Sequence, residues 1–224
     1  MTPFGCRVVA AVCAFVLLGA PCFAQTIDEF SLLDINEGEL HFLTEAPTTP
    51  PHLQSGHIQI HKSSLRDGWI TVKQCHHNLA TVNAMQIVFP RNRVRHLEVL
   101  QTNNIDRSWI EGPSVQLTGV HKNASICILS ENRALRRNTL DGTYEWHGGP
   151  YMRRFLDGYF PMHIKLAIDY PTNQLRLSSL EPVALKLKSV TQPGYVRIDA
   201  TFEGRLDIFL RFDATDIPPG IGWQ

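Results

Sequence analysis

Apolar and polar positions alternate through most of the chain after residue 52, and this alternation predicts β-strands. The segment 163–169 places its isoleucines and leucine on one face and mostly polar side chains on the other. The segments 196–202 and 206–212 repeat the pattern on either side of Glu203-Gly204, which is typical of a β-hairpin with a two-residue turn. One-sided strands indicate antiparallel pairing, because parallel sheets bury both faces. We predict an all-β fold, an antiparallel β-sandwich or open barrel, with one short helical insertion.

The predicted helical insertion lies in the stretch 146–161, which is rich in aromatic residues, glycine, proline and arginine. Proline favours the first position of a helix and glycine the position just past its end. Pro150 to Asp157 is therefore predicted to be a short helix or turn closed by Gly158. Aromatic side chains in such a stretch can form a platform for a sugar or a protein partner, or they can plug the open end of the core. The plug suits Phe155 and Phe160 better. The candidate binding residues are Trp146, Tyr151, Arg153, Arg154 and Tyr159.

The N-terminus has the pattern of a secretory signal peptide. Arg7 precedes the apolar run Val8 to Leu18, and small residues occupy both positions required for cleavage after Ala24. A lipoprotein signal acylated at Cys22 is the alternative, but Pro21 stands where a small flexible residue is needed. We therefore predict export to the periplasm or the extracellular space, and no later stretch is long and apolar enough to form a transmembrane helix.

Segment composition predicts four regions in the chain of 224 residues. Residues 1–24 form the signal peptide, and residues 25–51 form an acidic segment that ends in a proline-rich linker. Residues 52–216 form the β-sandwich domain, and residues 217–224 form a C-terminal tail. Cleavage would leave 20 basic and 21 acidic residues. A near-neutral chain gives no support for nucleic-acid binding.

Only two cysteines, Cys75 and Cys127, follow the signal peptide. In an oxidising compartment two cysteines most simply form one disulfide bond. Each is out of phase with the apolar residues of its own strand, so both are expected to face away from the most apolar side. A tryptophan in the position typical of an immunoglobulin domain is missing after Cys75.

Histidines provide the candidate metal ligands. His57 and His61 share a strand face, and they could reach one copper or zinc ion together with His76 or His77 from a neighbouring strand. Exposed histidines without a metal role explain the pattern more simply, because the chain has no compact His/Cys motif.

Arginines occur in three groups that could together hold an anionic ligand or an acidic partner surface. Each group alone is typical of a solvated face, and only their convergence in space would indicate a site. The groups are Arg91, Arg93 and Arg95; Arg133, Arg136 and Arg137; and Arg153 and Arg154.

Catalytic motifs are missing from the sequence. There is no Gly-x-Ser-x-Gly elbow, no His-Glu-x-x-His helix and no phosphate-binding glycine loop, so no catalytic residue is assigned. Carboxylates such as Glu111, Glu145 and Asp157 could form an acid and base pair, but sequence spacing does not fix their separation. We therefore expect an exported, non-catalytic binding module that uses the stretch 146–161. A copper- or zinc-handling protein and a polysaccharide hydrolase are the alternatives.

Overall fold

The computed structural model describes residues 38–45, 47–155 and 158–215. The predicted signal peptide, most of the acidic segment that follows it and the predicted C-terminal tail lie outside these residues. Within the described residues, no helix is long and apolar enough to cross a membrane.

Strands make up most of the described chain, which confirms the all-β prediction. The strands are β1 (His41–Phe42), β2 (His52–Gln59), β3 (Trp69–His77), β4 (Val82–Val88), β5 (Val94–Glu111), β6 (Ser114–Arg133), β7 (Leu135–Arg137), β8 (Tyr144–Tyr151), β9 (Arg153–Phe155), β10 (Gly158–Phe160), β11 (Met162–Asp169), β12 (Leu175–Glu181), β13 (Ser189–Gln192), β14 (Tyr195–Glu203) and β15 (Leu206–Ala214). One short α-helix, α1 (Ser64–Asp67), and two 3₁₀ helices (Arg91–Arg93 and Val183–Lys188) interrupt them.

Two sheets form a sandwich. In the large sheet the order is β1-β14-β11-β2-β3-β6-β4, while β13 also pairs with β14 and β5 also pairs with β6. In the small sheet the order is β12-β15-β8-β7. Neighbouring strands are antiparallel except β11 and β2, which run parallel. The prediction of mainly antiparallel pairing is therefore confirmed.

The core lies between the inner faces of the two sheets. From the large sheet, the predicted inner residues of β11 (Ile164, Leu166 and Ile168) are fully or almost fully buried. They share one cluster with buried residues of the small sheet such as Ile208 and Phe212. Burying each such side chain stabilises the fold by about 1.5–3 kcal/mol before entropy is counted. A second cluster, which includes Leu117 and Ile126, lies along β6.

The prediction of a β-hairpin around Glu203-Gly204 is wrong. β14 pairs with β1, β11 and β13 in the large sheet, whereas β15 pairs with β8 and β12 in the small sheet. The turn instead carries the chain from one sheet to the other, and Arg205 N donates a hydrogen bond to the Gly38 carbonyl, 3.2 Å away. Strands that face each other across a core alternate exactly as paired strands do, so the pattern cannot separate the two arrangements.

The prediction of a short helix at Pro150 to Asp157 is also wrong, because most of the described residues of this segment form strands. Tyr151 ends strand β8 and pairs with Leu206 of β15, and Arg153–Phe155 pairs with Gly158–Phe160 in a separate two-stranded hairpin. Asp157 lies outside the described residues. The short helix of this fold is α1, which Gly68 ends with a left-handed backbone (φ +79°). Pairing with β15 satisfies the backbone of β8, so a local proline and glycine signal does not decide its conformation.

Candidate functional site

A cavity of about 420 Å³ opens between the two sheets where β2, β3 and β6 face β8. We call it the inter-sheet pocket. Its polar wall consists of Gln54, Gln74, His76 and Asn132 from the large sheet, and its aromatic wall consists of Trp146 and Tyr151 from β8. A concave site of this volume, with a few polar groups on mainly apolar walls, is typical of small-molecule binding sites.

The strand register places the polar wall on the inner face of the large sheet. Gln54 lies opposite His76, so both side chains point to the same face, and Gln74 follows on that face two residues before His76. Asn132 lies opposite the buried Ile70 and therefore shares the face as well. Most other positions on this face are apolar and buried, so the polar wall is a local interruption of the core. The signal was present in the sequence, because positions 74 and 76 continue the apolar series of Ile70 and Val72.

His76 is held by hydrogen bonds at both ring nitrogens. Its Nε2 lies 3.1 Å from Gln74 Nε2, and its Nδ1 lies 3.0 Å from His52 Nε2. Because an amide nitrogen can only donate, His76 Nε2 accepts from Gln74, and His76 Nδ1–H then donates to His52. This arrangement requires a neutral His76 and fixes the orientation of its ring. The sequence pattern alone did not indicate His52, Gln54 or Gln74 as site residues.

Burial keeps this histidine pair uncharged at neutral pH. Burial, with smaller contributions from His52 and His77, lowers the pKa of His76 to about 3. Burial, followed by the positive charge of Arg153 and by His77, lowers the pKa of His52 to about 4. The polar wall therefore offers neutral hydrogen-bonding groups.

The aromatic wall is part of the core. Trp146 is 3% exposed and lies opposite Leu210 of β15 and Leu135 of β7, while Tyr151 is 9% exposed. Burial raises the pKa of the Tyr151 hydroxyl. The Trp146 ring covers Gly148, where an added Cβ would lie 2.3 Å from the ring. The structure therefore places these two predicted binding residues in the wall of a pocket, where they could not form an exposed platform.

Three polar groups of the pocket have no hydrogen-bond partner among the described residues: the Gln54 side-chain amide, Trp146 Nε1 and the Tyr151 hydroxyl. In the same part of the chain, Gln174 Oε1 is the atom that is both fully enclosed and unpartnered. The three pocket groups therefore have hydrogen-bonding capacity that no described residue uses. They are available to a ligand without breaking an existing bond.

The other three predicted binding residues lie on the β9–β10 hairpin. The guanidinium carbon of Arg153 lies 5.4 Å from the ring centre of Phe155 and 5.9 Å from that of Phe160, and that of Arg154 lies 5.6 Å from Tyr159. Phe155 is 43% exposed, so it does not plug the core as predicted. The structure thus divides the five predicted residues between the pocket and the hairpin. Arg153 also influences His52 electrostatically.

The four predicted metal ligands do not meet at one point. His57 and His61 face outward, where they bond Asp169 (2.6 Å) and Thr71 (2.9 Å), whereas His76 faces the inter-sheet pocket. His77 shares the outward face, but its register partner is Leu53, four residues before His57 along β2. Within the described residues, no group of three or more His, Cys, Asp or Glu side chains could hold a metal ion. Alternation along β3 separates His76 from His77.

The disulfide prediction is confirmed. Cys75 and Cys127 are bonded and lie directly opposite each other on β3 and β6. Cys127 lies between the buried Ile126 and Ile128, and Cys75 precedes the buried His76, so the bond lies on the outer face, as the phase of the two cysteines predicted.

Two of the three carboxylates considered for hydrolysis lie on strands of different sheets. Glu111 ends β5 of the large sheet and Glu145 lies on β8 of the small sheet, while Asp157 falls outside the described residues. The described residues that line the inter-sheet pocket include no Asp or Glu.

The chain shows little similarity to known proteins. No protein-family model and no curated protein sequence matches the chain. Two solved structures of M1 zinc metallopeptidases align with 80% of the chain and 43% of their own chains, each with a TM-score of 0.35. One is a two-domain enzyme in a mutant form bound to L-tryptophan, at 10% identity, and the other comes from Deinococcus radiodurans, at 12% identity. The chain spans less than half of these enzymes, and this similarity supports no argument about its function.

Proposed function

We propose that this protein is a non-catalytic binding module whose ligand occupies the inter-sheet pocket. The observation that carries the proposal is the polar wall within a mainly apolar inner face, opposite two buried aromatic side chains. A sheet face that served only as core would place apolar residues at these positions, because a buried polar group costs free energy unless it is bonded. The first six residues of the stretch 146–161 supply the aromatic wall.

The ligand we propose is a small uncharged ring that carries hydroxyl groups, such as a sugar unit. The Trp146 and Tyr151 side chains can pack against the apolar face of such a ring. Gln54, Gln74 and Asn132 have amide groups that can both donate and accept hydrogen bonds. Burial lowers the pKa of His76, so its imidazole is uncharged at neutral pH, and the charged side chains that line the pocket are Arg93 and Arg133.

We also propose that the protein acts outside the cytoplasm. The disulfide bond between Cys75 and Cys127 supports this location, since such bonds persist in oxidising compartments. The N-terminal signal-peptide pattern supports it independently.

The proposal is tested by measuring sugar binding with isothermal titration calorimetry and thermal shift, using a panel of neutral monosaccharides and oligosaccharides. The informative variant is Gln54→Leu, because this amide makes no bond in the described structure and its loss should leave stability nearly unchanged. Gln101→Leu, on the exposed strand β5, is the matched control. We expect at least one sugar to raise the melting temperature of the wild type and of Gln101→Leu. We expect about tenfold weaker binding by Gln54→Leu, which corresponds to one or two lost hydrogen bonds.

Two results would count against the proposal. The first is that no member of the panel shifts the melting temperature. The second is that a sugar binds the Gln54→Leu variant as tightly as the wild type, which would place the binding site elsewhere.

A further inference from the structure

Five arginines line a second open cavity, of about 520 Å³, next to the inter-sheet pocket. They come from three segments that are distant in sequence: α1, the 3₁₀ helix at Arg91–Arg93, and the end of β6 with β7. We call this cavity the arginine cleft. Its arginines are Arg66, Arg93, Arg133, Arg136 and Arg137. The sequence left open whether the arginine groups converge, and here members of two of those groups do.

The backbone fixes this convergence. The Gly68 carbonyl, just after α1, accepts hydrogen bonds from the N–H groups of Ala134 and Leu135, at 3.1 and 3.2 Å. A Cβ at Gly68 would lie 2.6 Å from the Leu135 carbonyl oxygen, so this contact requires glycine. The bonds tie the segment that carries Arg66 to the start of β7, which carries Arg136. The two side chains therefore line one cavity because of a specific backbone junction.

Five arginines and one carboxylate line the described part of the cleft, so its positive charge exceeds its negative charge. None of the five arginines forms an ion pair with a carboxylate among the described residues. Asp67 is the carboxylate that lines the cleft. Its Oδ1 accepts a hydrogen bond from Trp69 N at 3.0 Å. Arg133 Nε donates to the backbone carbonyl of Asp67, at 3.1 Å, and not to its carboxylate. Glu145 lies opposite Arg136 across β7 and β8 but forms no ion pair with it.

Arginines elsewhere in the described structure are often paired. Four arginines outside the cleft lie 2.5–3.8 Å from a carboxylate. They are Arg95, Arg176, Arg197 and Arg205. The cleft thus combines, in one concave site, several guanidinium groups that have no carboxylate partner among the described residues. The four paired arginines, in contrast, are partly neutralised on open strand surfaces.

We propose that the arginine cleft binds an anion that carries a phosphate group. A guanidinium group binds carboxylate or phosphate through two parallel N–H donors, and one such fork satisfies a planar carboxylate. Guanidinium groups that approach from three chain segments match a tetrahedral phosphate, whose oxygens point in several directions. The phosphate can belong to a soluble ester or to a lipid headgroup. This site does not depend on the neutral ligand proposed for the inter-sheet pocket, although Arg93 and Arg133 border both cavities.

The test uses pyrophosphate as the soluble probe and calorimetry as the readout. The cleft variant is Arg66→Gln with Arg136→Gln, which removes one charge from each side of the backbone junction and neither of the residues shared with the inter-sheet pocket. The matched control is Arg107→Gln with Arg154→Gln, two exposed arginines outside the cleft that change the net charge equally. Melting temperatures are recorded for all three proteins. A parallel arm measures sedimentation with phosphatidylcholine vesicles, with and without phosphatidic acid.

We expect saturable binding of pyrophosphate by the wild type and the control, weakened at least about tenfold in the cleft variant at an unchanged melting temperature. Retention on vesicles that contain phosphatidic acid, lost in the cleft variant, would identify a lipid headgroup as the phosphate source. Binding of the soluble probe alone would identify a soluble ester. Two results would overturn the proposal. One is an equal weakening of pyrophosphate binding in the cleft and control variants. The other is that citrate, a carboxylate anion, binds the wild type as tightly as pyrophosphate does.

Discussion

His52 and His76 form a hydrogen-bonded imidazole pair, 3.0 Å apart, at the edge of the inter-sheet pocket. Their rings also meet edge to face, with centres 5.3 Å apart. His76 lies on the inner face of the large sheet, and His52 begins the neighbouring strand β2. The pair therefore links the polar wall of the pocket to the β9–β10 hairpin, because the positive charge of Arg153 lowers the pKa of His52.

The histidine pair makes stability depend on pH. Both histidines have pKa values of about 3 to 4 in the fold, against 6.5 for an unperturbed histidine. Below pH 6.5 the unfolded chain therefore binds protons that the folded chain does not, and the free energy of unfolding falls as pH decreases towards 4. Above pH 6.5 the pair is neutral in both states and adds no pH dependence.

Thermal unfolding followed by circular dichroism between pH 4 and pH 8 checks this prediction. The variant His52→Gln with His76→Gln should lose less stability than the wild type between pH 6.5 and pH 4, because it lacks both groups. Parallel profiles for the two proteins would show that the histidines are not protected from protonation in the fold.

Removal of the Arg153 charge should raise the pKa of His52. In Arg153→Ala, nuclear magnetic resonance titration of the His52 ring should give a higher pKa than in the wild type, whereas Arg154→Ala serves as the neighbouring control. An unchanged His52 pKa in Arg153→Ala would contradict the electrostatic link between the hairpin and the pocket.

The two hairpin arginines should contribute little to global stability. Each lies over exposed or half-buried aromatic rings, where a cation–π contact contributes about 0.5–1 kcal/mol. Arg153→Ala with Arg154→Ala should therefore lower the free energy of unfolding by about 1–2 kcal/mol in urea titrations. A much larger loss would show that the hairpin supports the sandwich.

Gly148→Ala should damage the aromatic wall. The added methyl group would overlap the buried Trp146 ring, and overpacking of this kind costs about 1–3 kcal/mol. Gly56→Ala is the control, because its Cβ would meet only the terminal methyl groups of Leu166, at 3.0 Å, and Ile58, at 3.4 Å, which can move. Urea denaturation should show the larger loss for Gly148→Ala, together with a changed tryptophan fluorescence. Equal losses would mean that the Trp146 ring shifts without cost.

Loss of the disulfide bond should destabilise the fold without changing its topology. The bond closes a loop between residues 52 positions apart, which corresponds to about 4 kcal/mol in the chain-entropy model. Cys75→Ala with Cys127→Ala should show this loss in urea, and a reductant should lower the stability of the wild type but not that of the variant. If the variant is as stable as the oxidised wild type, the β3–β6 ladder alone holds these strands.

The period of two along the strands determined the fold class, because side-chain direction in a strand is a local property. The same alternation identified the inner face of β11 and the outward phase of Cys75 and Cys127, and the presence of only two cysteines after the predicted signal peptide identified their bond. These features depend on neighbours in sequence. They were therefore predictable from the chain alone.

The tertiary structure decided which strands pair and which residues share a cavity. β14 and β15 alternate as hairpin strands do, yet they belong to opposite sheets, and pairing with β15 makes Tyr151 part of a strand where proline and glycine predicted a helix. Arg66 and Arg136 come together through hydrogen bonds to the Gly68 carbonyl. Such contacts depend on long-range strand order, which a periodic pattern does not encode because many orders bury the same faces.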